Sequence, residues 1–281
     1  MEVILAGMLL VRKLHSLLPR TKEGDAILVF SYFLGTCIYA LLFHPGIMFG
    51  HILFFIVPGL YLVVRYWRRN YHAFLFSIAA GVATGFPLQV VAELNGVWQY
   101  DFPLFDWLTF GGLRMIPLAW YVLWIGLTIS AYSVFFDKHI HTVRKHHVFW
   151  KVHYRFLILC AAVTAGSMYF LLVNPGVFLF PYPYVLAGSL LFIAPVACIL
   201  WCHPQLLRDT IKAVGILALL MLIYELVGLK VGWWTYPGDY IAAIPMFGTV
   251  LPLEEIILWI LFGALFAVVA YEEVEHDAAF K

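Results

Sequence analysis

Charge is what this chain has least of. Asp, Glu, Lys and Arg make up 12% of its 281 residues, about half the share of an ordinary soluble domain, and so small a polar complement excludes a water-soluble globule. The 17 basic residues gather in no single patch, so nothing in the charge balance of +1 points to a nucleic-acid partner. Cysteine is scarce too. Cys37, Cys160, Cys198 and Cys202 all fall inside apolar runs, which argues against a secreted disulfide framework. Cys198 and Cys202, one helical turn apart, are expected to be small packing residues. A lysine deep in a late span, which retinal attachment needs, is missing. Lys230 is the sole candidate, and it falls near the end of its run, where it is expected to snorkel. A small-residue cleavage site is absent after "VILAGMLLV", residues 3–11, so that stretch is expected to be interfacial rather than a signal peptide.

What is present is apolar length. Hydrophobic residues make up 64% of the chain, and runs able to cross a hydrocarbon layer of about 30 Å lie near 26–44, 47–64, 73–94, 112–136, 156–173, 183–202, 211–231 and 246–271. The expected fold is therefore all-α: one integral membrane domain over 1–281, a polytopic bundle of about eight transmembrane helices. Of the 17 Lys and Arg residues, 15 fall on one side of that topology, leaving Arg114 and Lys230 on the other. This bias places both termini in the cytoplasm, in a protein of the cytoplasmic membrane. Gly85-Phe86-Pro87 is the best candidate for a break within a helix.

The chain also repeats itself. "ELNGVWQY" begins at Glu93 and "ELVGLKVGWWTY" at Glu225; both open Glu-Leu-x-Gly and close Trp-x-Tyr, and the helix after each carries Pro-Leu, at Pro117 and Pro252. Two four-helix halves, near 26–136 and 156–271, are expected to share one orientation about an axis along the membrane normal, with matching positions facing one central cavity. The copies differ after Pro-Leu: the first has Ala119-Trp120, the second Glu254-Glu255.

A carboxylate in hydrocarbon costs several kcal/mol unless protonated, paired or facing a polar cavity. Glu93, Glu225, Glu254 and Glu255 all fall toward one end of their helices and are expected to share a layer. Several carboxyls in a site of low dielectric cannot all be ionised, and one that keeps its proton can act as a general acid at neutral pH. The plain alternative for Pro252-Leu253-Glu254-Glu255 is a well-made helix start, with Pro in the first turn and acids at the positive end of the dipole. A cap does not require acids on neighbouring helices. Trp98, Tyr100, Trp233, Trp234, Tyr236 and Trp259 accompany them; aromatic belts at membrane interfaces account for such residues singly, and as a group they offer π faces to a cation.

Glu225-Leu-Val-Gly, Gly232-Trp233-Trp234-x-Tyr236, Tyr240-Ile241, Phe247-Gly248 and Leu251-Pro252-Leu253-Glu254-Glu255 together resemble the lycopene cyclase domain, the membrane type found in bacteria, archaea and fungi. The likeness is close over about 220–272. The first half resembles the same module through Glu93, Gly96, Trp98 and Tyr100, and departs from it at Ala119-Trp120. The resemblance implies carotenoid biosynthesis without a cofactor: a carboxylic acid protonates the terminal alkene of a linear carotene, the neighbouring alkene closes the ring, and a base removes a proton. It assigns Glu254 and Glu255 to the acid and its partner, Glu225 to hydrogen bonding or proton relay, and Trp233, Trp234 and Tyr236 to the cation site; Glu93 is a further candidate catalytic acid, and Trp98, Tyr100 and Trp259 are further candidates for substrate binding. The partners it implies are an isoprenoid substrate and the bilayer, with no nucleic acid; a second copy and other carotenoid enzymes are the protein partners left open.

Rival readings share these acids. A carotenoid hydratase or another membrane terpene cyclase would begin with the same protonation, and a proton-coupled transporter would also use membrane carboxyls. No metal is expected: His139, His141, His146, His147 and His153 sit in a basic stretch suited to solvent or anionic lipid, and the closing "YEEVEHD" is expected to be solvated surface.

Overall fold

A computed structural model describes residues 21–100, 109–114, 116–137 and 146–277. The chain is an all-α membrane bundle, with eight helices among the described residues long and apolar enough to cross a bilayer. They are α1 (Lys22–Phe43), α2 (Ile47–Arg65), α3 (Trp67–Leu94), α4 (Ile116–Phe136), α5 (His146–Val173), α6 (Pro183–Cys202), α7 (Gln205–Val231) and α8 (255–277). Six short strands lie between them: β1 (Gln99–Tyr100), β2 (Thr109–Phe110), β3 (Leu113–Arg114), β4 (Trp234–Thr235), β5 (Ala243–Met246) and β6 (Thr249–Pro252). The centre belongs to α3 and α8, whose apolar windows are 72% and 78% buried, against 11% for α5. The peripheral α1, α5 and α6 turn residues such as Ile38, Leu159 and Leu190 outward, as helices bathed in lipid do. Cys198 and Cys202 share that outward face of α6 and are exposed, so they are not the packing residues expected of them.

Two of the expected spans are shorter than their apolar runs. Residues 109–114 and 243–252 fold as hairpins ahead of α4 and α8. Each turn holds two successive residues with positive φ, Gly111 (59°) and Gly112 (83°) in one, Phe247 (49°) and Gly248 (77°) in the other. That pair suits a two-residue hairpin and stops a helix. Pro252 accordingly closes β6 instead of opening the helix.

The Gly85-Phe86-Pro87 stretch, the best candidate for a break though no strong one, lies within an unbroken α3. Its glycine serves helix approach: a Cβ on Gly85 would come within 2.6 Å of the Tyr121 side chain, and one on Gly81 within 2.6 Å of Val122 Cα. Ser77, Gly81 and Gly85, four residues apart, thus make a seam of small residues along which α4 lies close.

At the end of the bundle away from the hairpins, Asp25 is fully buried in the first turn of α1. It accepts hydrogen bonds from the Tyr61 and Tyr66 hydroxyls and pairs with Arg65 Nε at 3.1 Å, pinning α1 to the end of α2. Burial, with Asp25 beside it, pushes the Tyr66 phenol up to about 12, so it remains a donor. The first four residues of "YEEVEHD" are not a solvated tail. They continue α8 through the bundle, burying Tyr271, Glu272 and Val274, while Glu273 Oε1 lies 3.4 Å from His203 Nε2.

Candidate functional site

The two Trp-x-Tyr connections find each other. β1 and β4 pair antiparallel, Gln99 opposite Thr235 and Tyr100 opposite Trp234, a register symmetric about the central residue of each triplet. Period-two alternation sends the side chains flanking Gln99 and Thr235 to one face. Trp98, Tyr100, Trp234 and Tyr236 all line one pocket beneath the ribbon. Tyr240 fastens the connection by donating its hydroxyl to the Val97 carbonyl.

Two acids enter this pocket. Glu225, 2% exposed on α7, accepts from Trp234 Nε1 at 3.0 Å and Tyr236 Oη at 3.1 Å, both on the same oxygen. Gly228, one turn on, makes this possible: its missing Cβ would sit 2.2 Å from Trp234 Cη2. Glu255, equally buried, opens a nine-residue π-helical stretch of α8 and accepts from the Tyr184 hydroxyl of α6. The wider turn of a helix closed by i→i+5 bonds puts Glu255 and Trp259 on the same wall. Trp259, 1% exposed, stacks on Trp120 (centroids 5.0 Å, 30°) and touches Trp124 at 4.4 Å. Trp120 in turn donates Nε1 to Tyr224 Oη at 3.0 Å. Burial, and then the neighbouring Glu225 and Glu255, hold the Tyr236 phenol well above the usual tyrosine range; it is a hydrogen-bond donor and not an anion.

The expected layer of four acids is therefore reduced to two. Glu93 does not line the pocket; it pairs with Arg114 Nε at 2.9 Å, takes the Arg114 backbone N–H, and accepts from Gln89 at 2.7 Å. The guanidinium also covers the Tyr100 ring at 4.5 Å. Glu254 does not line the pocket either. Its Oε1 accepts from the Ile241 backbone N–H, so it reaches back to hold the loop before the β5–β6 hairpin, and it makes no side-chain cap to its own helix. Trp233, expected to line the site, turns away: it donates Nε1 to the Pro45 carbonyl at 2.7 Å and packs over Gly50.

Other pocket residues are absent from the sequence expectation: His51 of α2, Tyr121 of α4 and Tyr184 of α6, with Trp120 contributing where the second half has Glu255. A signal existed for His51, a polar residue in mid-run within "GHILFF", where intramembrane ionisable groups are functional by default. Tyr184 had none beyond its place in a Pro-Tyr-Pro-Tyr turn. Of the histidines set aside as non-ligands, His139 and His141 lie outside the described residues, as do the side chains of His146, His147 and His153.

No protein-family model, curated protein or solved structure matches the chain. The site is thus defined by its own geometry: two buried carboxyls, one holding a phenol and an indole donor and the other a phenol, an imidazole, and walls of stacked aromatic rings, with no Lys or Arg among the lining residues.

Proposed function

We propose that this pocket carries out an acid-initiated, cofactor-free rearrangement of a membrane-dissolved isoprenoid, the cyclisation of a linear carotene end being the best-supported case. The observation that carries it is the pairing of Glu255 and Glu225 in one aromatic-walled cavity without a basic side chain of Lys or Arg to neutralise them. A carboxylic acid there is suited to protonating a terminal alkene. The tertiary cation that forms lies among Trp120, Trp234 and Trp259, whose π faces favour positive charge. The next alkene attacks, the ring closes, and a neighbouring C–H proton passes to the pocket's other bases, Glu225 or His51, before returning to the donor. Mass is unchanged and no redox step occurs.

Glu255 is the proposed donor, because it faces the cavity with Tyr184 to stabilise the carboxylate left behind. Glu254 is reassigned to positioning. On the charge bias of the chain, the hairpin end, which carries Arg114 and Lys230, is placed on the outer side of the cytoplasmic membrane, with both termini inside.

Expression in cells that make lycopene, followed by chromatography and mass measurement, tests the reading. An isomer of unchanged mass is expected. A gain of one water identifies hydration of the same cation, and unaltered pigment in cells holding inserted protein removes the carotenoid assignment.

A further inference from the structure

A second cavity adjoins the first. Its lining is apolar except for Thr128, the indole N–H of Trp124 and the hydroxyl of Tyr224. Three helices line both cavities with continuous stripes. On α4, Pro117, Trp120 and Tyr121 face the first cavity, and Trp124, Thr128, Ala131 and Phe135 the second. On α2 the stripe runs Ile47, His51, then Phe55, Pro58; on α7 it runs Glu225, then Tyr224, Met221, Leu217. Apart from the adjacent pairs Trp120–Tyr121 and Tyr224–Glu225, the steps are of three and four residues and keep to one helix face. The cavities adjoin at a cluster of rings: Phe55 meets Tyr224 edge-on at 4.8 Å and Trp120 at 6.5 Å, and Trp120 is hydrogen-bonded to Tyr224.

From Pro117 to Phe135 the α4 stripe is about 27 Å long at 1.5 Å per residue, nearly the thickness of a bilayer core. The first cavity alone is far shorter than that, and a conjugated polyene is too stiff to coil within it. We infer that the second cavity is the binding channel for the apolar chain of the same molecule whose reacting end sits between Glu225 and Glu255. The molecule then stands along α4, roughly parallel to the membrane normal, passing beside the packed rings of Phe55, Trp120 and Tyr224 where the two cavities adjoin. The inference rests on the proposed function for the identity of its occupant; the alternative occupant is a phospholipid acyl chain.

The test separates binding from turnover. Protein carrying Glu255→Gln, purified in detergent from cells making linear carotene, is expected to retain the pigment at close to one per chain. Adding Ala131→Leu on α4 or, independently, Leu217→Phe on α7 fills the second cavity from two sides and is expected to lower retained pigment at least tenfold, while Leu159→Ala, on the outward face of α5, leaves it unchanged. Thermal unfolding and native mass spectra accompany each variant, so a misfolded protein on one helix is replaced by the variant on the other. Pigment retained equally after both fillings overturns the channel and leaves the proposed function standing. So does a phospholipid, in place of pigment, lost from the filled variants in a protein that still converts carotene. Neither pigment bound by Glu255→Gln nor carotene converted by the unaltered chain overturns both.

Discussion

The ends of α3 and α7 carry the same four-letter motif and do different things with it. Glu93 and Glu225 stand 132 residues apart, but Tyr100 and Tyr236 stand 136 apart; the four extra residues are one further turn of α7. α3 stops at Leu94, so Gly96 takes positive φ just past the helix, whereas α7 runs on to Val231 and the residue with positive φ is Gly232. The glycine that matches Gly96 by motif, Gly228, is still helical, and its bare Cα seats the Trp234 indole. That turn lowers Glu225 about 6 Å further from its helix end than Glu93. Glu225 faces the aromatic-walled pocket, while Glu93, 19% exposed, reaches the cation of Arg114. One turn of helix separates an acid with chemistry available to it from an acid held in an ion pair. Trp120 and Glu255 make the same point from the other side: counterparts after Pro-Leu, they line one pocket, one as wall and one as acid.

This asymmetry can be broken experimentally, and the largest effect is expected at the carboxyls. Glu255→Gln, and Glu225→Gln after it, should each lower product formation by about a hundredfold or more with the thermal midpoint preserved, while Glu93→Gln stays within a few-fold of the unaltered protein. Equal losses from Glu93→Gln and Glu225→Gln would erase the distinction. Next in size is Gly228→Ala, whose methyl collides with Trp234; about 1–3 kcal/mol of stability and at least tenfold of activity should go together. Gly96→Ala meets no neighbour but must keep positive φ, so about 1–2 kcal/mol of stability should be lost without a separate loss of activity per folded molecule. Trp120→Phe keeps a ring in the wall and removes the hydrogen bond to Tyr224, worth about 1 kcal/mol, readable in thermal unfolding. The smallest effect is expected from Arg114→Gln: its pair with Glu93 is partly exposed, so solvent screening leaves about 1 kcal/mol or less, and the difference should shrink further in high salt.

Glu254 shows why adjacent acids in a sequence need not share a task. Neighbours on a helix point about 100° apart, so when Glu255 faces the cavity Glu254 must face elsewhere, and it holds the Ile241 backbone. Trp233 and Trp234, at the entry to β4 where successive side chains alternate faces, diverge as well, one toward Pro45 and one toward Glu225. Residue types and their clustering were legible; which member of each doublet entered the site was not, because that depends on the phase of the helix or strand relative to its neighbours. His51 and Tyr184 illustrate a further gap, since each comes from a helix distant in sequence from every motif and reaches the pocket through packing alone.

The sequence by itself determined the solvent, the number of spans and the end of the bundle where the acids gather, because transfer of apolar length into a bilayer and the scarcity of charge are properties of composition and order. Only the tertiary structure decided that two of four glutamates face a cavity, that two apolar runs begin as hairpins, and that α2, α4 and α7 line a second chamber. Those outcomes turn on helix phase and on single-turn differences in length, which no count of residue types records.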